Sequence, residues 1–297
     1  MLYSFFQPQS IFEQGKRDNQ EDSIFPSLGR ASSKDRLFIL CDGMGGYEKG
    51  EIASSTICMS LSEYLLTKNV FSEDLFFEGL SYSYKMLLGK VKGDGDRMGT
   101  TLTFLYFHNH GCFAAHVGDS RIYHIRPRTH EILYVSRDHS LVNDLLDAGM
   151  LSKEDVDTFP QRHVITKAIR ADKEISRSDV DIKHITDIQD GDYFLLLSDG
   201  MLENLSDEEL LNLICLKNIS DEEKKELLIK NSRCNSDNHS AYIIHIDNVR
   251  ADEEDDKYMD LSVSHIKSGF TKKVDNWKIA FFVLCIIFAI IVLCFFN

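Results

Sequence analysis

Arg36-Leu37-Phe38-Ile39-Leu40-Cys41-Asp42-Gly43-Met44-Gly45-Gly46 sets a short apolar run directly against a turn of small residues. The run over 36–41 predicts a buried strand, and the Asp-Gly pair predicts a loop opening at its end. Asp42 is thereby placed at the end of a strand. The pattern recurs: Asp119-Ser120 follows strand-like residues 112–117, Asp199-Gly200 follows 193–197, and Asp237-Asn238 precedes 241–246. A lone Asp-Gly is weak evidence, because such pairs are common in turns. Four aspartates at strand ends, with Glu21-Asp22 near the start, raise a second reading. If the strands run to one rim, the carboxylates converge, and bound Mg²⁺ or Mn²⁺ would offset their repulsion. On the residues alone both readings stand.

Outward from this stretch the chain alternates between helical and extended patterns. Apolar residues at helical spacing (Ile52, Ile57, Leu61, Leu65) predict a helix over 51–67, and 71–91 is a second. Strands are expected at 100–108 and 112–117, joined through Asn109-His110-Gly111, then at 121–125 and 133–135. A helix over 140–149 should stop at Gly149, followed by a polar excursion over 151–170. Strands at 193–197 and 241–246 bracket helices at 207–216 and 221–231. The simplest assembly is α+β, an α-β-β-α sandwich of two antiparallel sheets flanked by helices.

Composition bounds the function. With 297 residues, 43% of them apolar and 27% charged, the chain can bury a sizeable core. A formal net charge of −14 excludes a nucleic-acid backbone as partner, since phosphate tracking needs basic stripes. It suits a carboxylate site filled by cations, and it equally suits plain solubility. The 7 cysteines show no paired spacing, as expected of a reducing cytosol. The opening MLYSFFQPQS lacks the basic-then-apolar pattern of a secretory signal.

The far end differs. Residues 279–296 read IAFFVLCIIFAIIVLCFF, without a charge, and are near the lower length for crossing a ~30 Å hydrocarbon core. Trp277 supplies an interfacial aromatic, Lys272, Lys273 and Lys278 sit just before it, and Asn297 alone follows. This predicts one C-terminal transmembrane helix with the large domain on the cytoplasmic side. The expected domains are a catalytic domain at 1–247, an acidic-then-basic linker at 248–278, and the membrane helix at 279–296.

Seven motifs in order give the chain a family likeness over nearly all of residues 10–247. They are Arg17-Asp18-Asn19-Gln20-Glu21-Asp22; Asp42-Gly43-Met44-Gly45-Gly46; Gly99-Thr100-Thr101; Val117-Gly118-Asp119-Ser120-Arg121; Asp138-His139-Ser140 with Ile165-Thr166-Lys167-Ala168-Ile169; Ser198-Asp199-Gly200; and Asp237-Asn238-His239-Ser240. The series resembles the type 2C (PPM) metal-dependent protein serine/threonine phosphatases of bacterial type. That resemblance implies two Mn²⁺ or Mg²⁺ ions, with Asp42 bridging, the Gly43 carbonyl ligating one ion, and Asp199 and Asp237 completing the set. Glu21 and Asp22 would act through metal-bound waters, and Asp119 with Asp199 would hold a third ion. Arg17, whose planar fork suits phosphate oxygens, would bind the substrate phosphate. Phosphoproteins, substrates of a serine/threonine kinase, would be hydrolysed by a metal-activated water.

One position departs from part of the family. Met44 stands where some members carry a histidine that protonates the leaving group, and a thioether has no proton to give. His139 is a candidate substitute or a structural residue. No Gly-x-Ser-x-Gly elbow is present for a serine hydrolase. The competing readings are a phosphatase-like docking module and a phosphatase of small phosphoesters.

Overall fold

The computed structural model describes residues 2–44, 49–92, 98–162 and 164–250. Its strands begin with β1 (Leu2–Phe5), β2 (Gln9–Glu13), β3 (Asp22–Phe25) and β4 (Leu37–Met44). Helices α1 (Gly50–Leu66) and α2 (Glu73–Leu88) follow, then β5 (Gly99–Thr100), β6 (Leu102–His108), β7 (Gly111–Val117), β8 (Arg121–Arg126) and β9 (Glu131–Val135). Helix α3 (Leu141–Asp147) precedes the excursion, which ends in β10 (Ile169–Arg170). The last part runs β11 (Asp181–Ile185), β12 (Tyr193–Leu197), α4 (Asp199–Leu202), α5 (Asp207–Ile214), α6 (Asp221–Ser232) and β13 (His239–Arg250).

The strands form two antiparallel sheets. One has the order β1-β13-β12-β8-β9 with β2 also on β13; the other has β10-β5-β4-β6-β7-β11 with β3 also on β4. Side chains of a strand alternate between faces, so apolar residues at every position require both faces to be covered. Strand β4 shows this directly. Leu37, Ile39 and Cys41 pack with Ile57, Leu61, Phe76 and Leu80 of α1 and α2. Phe38 and Leu40 point the other way, into a layer shared with Phe194, Leu196, Tyr242 and Ile244 of the second sheet. Tyr193, Leu195 and Leu197 then turn outward from β12 onto Leu210, Ile214 and Leu228 of α5 and α6. Three stacked cores give four layers, the expected α-β-β-α sandwich.

Helix starts follow their local sequence. Ser206 and Ser220 each accept from the amide of the glutamate three residues on, and Glu209 and Glu223 bond back, closing two capping boxes. Ser72 caps α2, and Ser140 caps α3 through Asn143 at 3.3 Å. Gly149 lies just past α3, where its stop was expected. Cys41, Cys58 and Cys112 are buried free thiols acting as small apolar groups.

Several expectations shift. The strand expected at 36–41 runs on through Asp42 and Gly43 to Met44, which makes Asp42 a strand residue. The strand expected at 100–108 is interrupted at Thr101, whose amide donates to the Asp42 carbonyl at 2.8 Å. The N-terminal strands and β11 had no counterpart in the periodicity. Strand β11 (Asp-Ile-Lys-His-Ile) lies at a sheet edge with mostly polar, exposed side chains, so it lacks the apolar run that marks a covered strand. Strand β13 continues past 247: Asn248, Val249 and Arg250 pair with Ser4, Tyr3 and Leu2. Among the described residues no helix is long and apolar enough to cross a membrane. The expected span at 279–296, and the linker beyond Arg250, lie outside the described residues.

A buried polar cluster ties α6 to the sheet. Lys224 donates to the Tyr193 hydroxyl at 2.8 Å and to the Ile214 carbonyl at 2.7 Å. Tyr193 donates to Asp221 at 2.6 Å, and His245 meets the other Asp221 oxygen at 2.8 Å. Burial holds the Lys224 ammonium below its usual range, so its two acceptors matter. Tyr193→Phe removes the hydroxyl that links Lys224 to Asp221. It should cost about 1–3 kcal/mol, read as a lower urea midpoint at constant m-value. An unchanged midpoint would show that the cluster contributes nothing to holding α6.

Candidate metal centre and phosphate cleft

Two antiparallel ladders bring the acidic residues together. Asp22 lies opposite Asp42 in the β3–β4 register, which sets two carboxylate-bearing residues side by side. The Gly43 amide donates to the Glu21 carbonyl at 3.0 Å, fixing the 21–22 segment against the end of β4. Gly43 has no room for a side chain there: a Cβ would stand 2.3 Å from the Gly50 carbonyl oxygen and 2.5 Å from that of Glu21. Asp42 is held from the other side as well. Its amide donates to the Thr101 hydroxyl at 3.0 Å, and its carbonyl accepts from the Thr100 hydroxyl at 2.9 Å.

From the second sheet, Asp199 enters at the first turn of α4, directly after β12. Asp237 comes from the loop before β13, where its carboxylate accepts from the Asn238 amide at 2.8 Å. Asn238 is the organiser that sequence reasoning passed over. Its side-chain oxygen accepts from the Glu21 amide at 2.8 Å, and its NH₂ donates to the carbonyls of Gln14 and Asn19. One carboxamide thus pins the loop that carries Arg17 and Glu21. The signal was its place beside Asp237 in a quoted motif, but nothing local shows what it holds.

A cavity of about 370 Å³ is lined by Arg17, Glu21, Asp42, Gly43, Met44, Asp119, Ile165, Asp199 and Asp237. Of the expected site residues, the structure brings all but Asp22 to this wall. Asp22 is buried and accepts from the Ser198 hydroxyl at 3.1 Å. Arg17 is half-exposed and paired with Asp237 at 2.5 Å. A wider cleft of about 900 Å³ shares Arg17, Asp119, Asp199 and Asp237, and reaches Val156 and Arg162 of the excursion. Ser120 and Ser198 are supports: Ser120 meets the Thr101 hydroxyl at 2.8 Å, and Ser198 bonds Asp22. His139 does not line the cavity. Its Nδ1 accepts from the Gly118 amide at 3.1 Å, and its Nε2 faces Asp181 at 3.3 Å.

The cluster cannot carry its full charge unaided. Burial, then neighbouring carboxylates, pushes Asp22 and Asp119 up to about 7 and Asp42 well above the usual carboxylate range. Asp199 is raised for the same reasons, and Asp42 and Asp199 stand within hydrogen-bonding reach of each other. Carboxylates this close cannot all ionise without a counter-charge. One oxygen each of Asp22 and Asp119 is buried with no hydrogen-bond partner. Buried acceptors of this kind need a proton, a water or a cation. An all-oxygen donor set of carboxylates and a backbone carbonyl is what Mg²⁺ and Mn²⁺ take. Among the described residues no three of these carboxylates bring ligand oxygens within 4.8 Å of one another.

Comparison with known proteins places the chain in a family. Residues 15–227 match the family model described as Protein phosphatase 2C. The chain is 32% identical over 220 residues to the protein phosphatase PhpP of Streptococcus pneumoniae serotype 2, covering 72% of this chain and 86% of PhpP. It is 29% identical over 210 residues to the serine/threonine protein phosphatase PstP of Mycobacterium tuberculosis, covering 69% of this chain and 38% of that protein. The crystal structure of Mycobacterium tuberculosis PstP/Ppp superimposes with a TM-score of 0.69 at 26% identity, over 82% of this chain and 100% of that one. A PstP catalytic domain in complex with two manganese ions superimposes with a TM-score of 0.66 at 25% identity, over 82% and 99% of the two chains. The chain belongs to the protein phosphatase 2C family of metal-dependent serine/threonine phosphatases.

Proposed function

We propose that this chain hydrolyses phosphoserine and phosphothreonine in proteins at the Asp42 cavity, from the cytoplasmic face of a membrane. The observation that carries the catalytic part is the over-charged carboxylate cavity, with the orphaned oxygen of Asp119 on its wall and that of Asp22 beneath it. In it, Asp42, Asp199, Asp237 and the Gly43 carbonyl would hold two Mn²⁺ or Mg²⁺ ions, with Glu21 and Asp22 acting through water and Asp119 serving a third ion. The ions supply a water of lowered pKa and positive charge for the phosphoryl group. The manganese in a relative's catalytic domain supports this choice of metal.

Arg17 lines both the cavity and the wider cleft, and its guanidinium is a planar fork of donors. Its ion pair with Asp237 keeps it beside the cavity wall, and that pair raises its pKa further, so it is always charged. A phosphate monoester entering from the cleft can accept from the same fork. Met44 lines the cavity and cannot protonate a leaving alkoxide, and both nitrogens of His139 are engaged outside it. The proton would come from water or from another group on the cavity wall. A docking module without catalysis would have no use for this carboxylate set, which is the observation against that reading.

The membrane part rests on sequence. The charge-free run at 279–296, with Trp277 and Lys278 beside it, is long enough to cross a bilayer and would tether the phosphatase near membrane-bound kinases or their substrates.

With a phosphothreonine peptide, the full chain should turn over with Mn²⁺ and lose turnover in EDTA. Asp199→Asn should lower kcat at least about a hundredfold at saturating Mn²⁺. A folded native chain inactive with both Mn²⁺ and Mg²⁺ would favour the docking module. Arg17→Ala should lower kcat/KM for the peptide by roughly a hundredfold while its calorimetric Mn²⁺ isotherm stays native. Equal loss of metal binding would make Arg17 a support of Asp237 instead. Removing residues 251–297 should move the protein from the membrane to the soluble fraction on carbonate washing. Membrane retention after that truncation would overturn the tether.

A further inference from the structure

We propose that His139 is a positioning residue that joins the outgoing end of the 151–170 excursion to the turn carrying Asp119. The backbone and ring of this one residue hold several chain segments. Its amide donates to the Gly118 carbonyl at 2.9 Å, while its Nδ1 accepts from the Gly118 amide at 3.1 Å. Both polar backbone groups of Gly118 therefore end on His139. The His139 carbonyl accepts from the Thr166 amide at 2.8 Å, where the excursion returns. Next to it, Ser140 bridges to Ile165, and the Leu141 amide donates to the Val164 carbonyl at 2.9 Å. Ile165 in turn lines the cavity.

The ring's chemistry is set by its partners. The Gly118 amide needs a lone pair on Nδ1, so in the neutral imidazole the proton sits on Nε2, facing Asp181 at 3.3 Å. Lys167, from the same returning segment, stands 3.5 Å from Nε2 and 3.5 Å from Asp181. His116 stacks on the ring, with centroids 4.7 Å apart and planes 12° from parallel. The ring is thus clamped on one face and at both nitrogens.

His116, His139 and Asp181 offer ligand atoms within 4.8 Å of one another, a spacing that a metal ion could bridge. The tautomer argues against it. A metal on Nε2 would displace the proton from a ring whose other nitrogen is already an acceptor, beside the Lys167 ammonium. His139 and Asp181 are joined at 3.3 Å, and His116 is held by stacking on His139 and by the Arg137 carbonyl.

The consequence reaches Asp119. Gly118 sits at φ +105°, where a Cβ would lie 2.6 Å from the Thr101 side chain. Thr101 also takes the Asp42 amide and meets Ser120. With its amide and carbonyl both bonded to His139, Gly118 holds the backbone from which Asp119 projects. The same residue fixes where the excursion returns, so the excursion and Asp119 are set together. A cation on Asp119 should then steady the excursion, and the coupling must be reciprocal.

The test uses the full chain in detergent and follows tryptic cleavage within the excursion, at Lys153 and Arg162, with and without Mn²⁺. His139→Ala should speed metal-free cleavage roughly five-fold, the loss of about one hydrogen bond's worth of local stability. Native protein should gain protection on titration with Mn²⁺, and His139→Ala should lose that protection. His139→Asn, whose amide oxygen can take the Gly118 N–H, should restore most of both. Native cleavage and protection in His139→Ala, or an Asn variant no better than Ala, would overturn the proposal. Should the Ala variant fail to fold, Asp181→Asn at the exposed side of the cluster reads the same link, with faster cleavage for it and native cleavage against it. The protection arm rests on Asp119 as a metal ligand, and Asp119→Asn separates the two ideas. It should abolish protection while leaving metal-free cleavage native. Full protection in that variant would remove Asp119 from the metal set, and the metal-free rates would then decide the His139 link alone.

Discussion

Asp22, buried, and Asp42, at the cavity wall, face each other across an antiparallel ladder where neither can ionise freely, and the rest of the fold is arranged round that conflict. Water in the cavity reaches Asp42 but not Asp22 beneath it. Hydrogen bonds relieve part of it: Ser198 donates to one Asp22 oxygen, and the backbone of Asp42 is held by Thr100 and Thr101. What remains is one buried oxygen each on Asp22 and Asp119 without a partner. A protein that keeps such groups has a use for a cation. The stability lost to repulsion in the metal-free state is recovered as metal affinity, since both come from the same unsatisfied charge.

The layers explain how the conflict is kept in place. Strand β4 is apolar on both faces until Cys41, then carries Asp42 and Gly43 as the last part of the same ladder. Its end is therefore anchored by two cores, and Asp42 inherits that rigidity. The opposite wall comes from another sheet and another part of the chain. Arg17 and Asp237, separated by 220 residues, meet at 2.5 Å because Asn238 pins the 14–21 loop against the start of β13. A site assembled from both sheets opens at their common edge, where a phosphorylated side chain can enter from the wider cleft.

Motion, by contrast, has to be placed where the cores do not reach. The 151–170 excursion is mostly polar and exposed, with one 3₁₀ turn at Lys153–Thr158. It contributes Val156 and Arg162 to the cleft and Ile165 to the inner cavity. Its two ends differ in attachment, and the returning end is stitched to the Asp119 turn through His139. A segment exposed at its middle and bonded to the core at that end can shape what enters the cleft without disturbing Asp42.

The sequence by itself determined the layers and the local chemistry. A short run apolar at every position and ending in a turn, such as Leu37-Phe38-Ile39-Leu40-Cys41 before Asp42-Gly43, reads as a strand covered on both sides. Ser-x-x-Glu at 206–209 and 220–223 starts helices with no help from elsewhere. Aspartates beside small residues at strand ends marked Asp42, Asp119, Asp199 and Asp237. These signals need only near neighbours, since alternation, capping and turn chemistry act within a few residues. The tertiary structure alone decided the rest. It placed Asp22 beneath the cavity instead of on its wall, engaged both nitrogens of His139 outside it, and gave Asn238 its role. It also added the polar edge strand β11, which carries no apolar pattern, and extended β13 to pair with β1. Each of those depends on register between strands far apart in the chain, and register is set by how two sheets pack together, a property that no local stretch of residues contains.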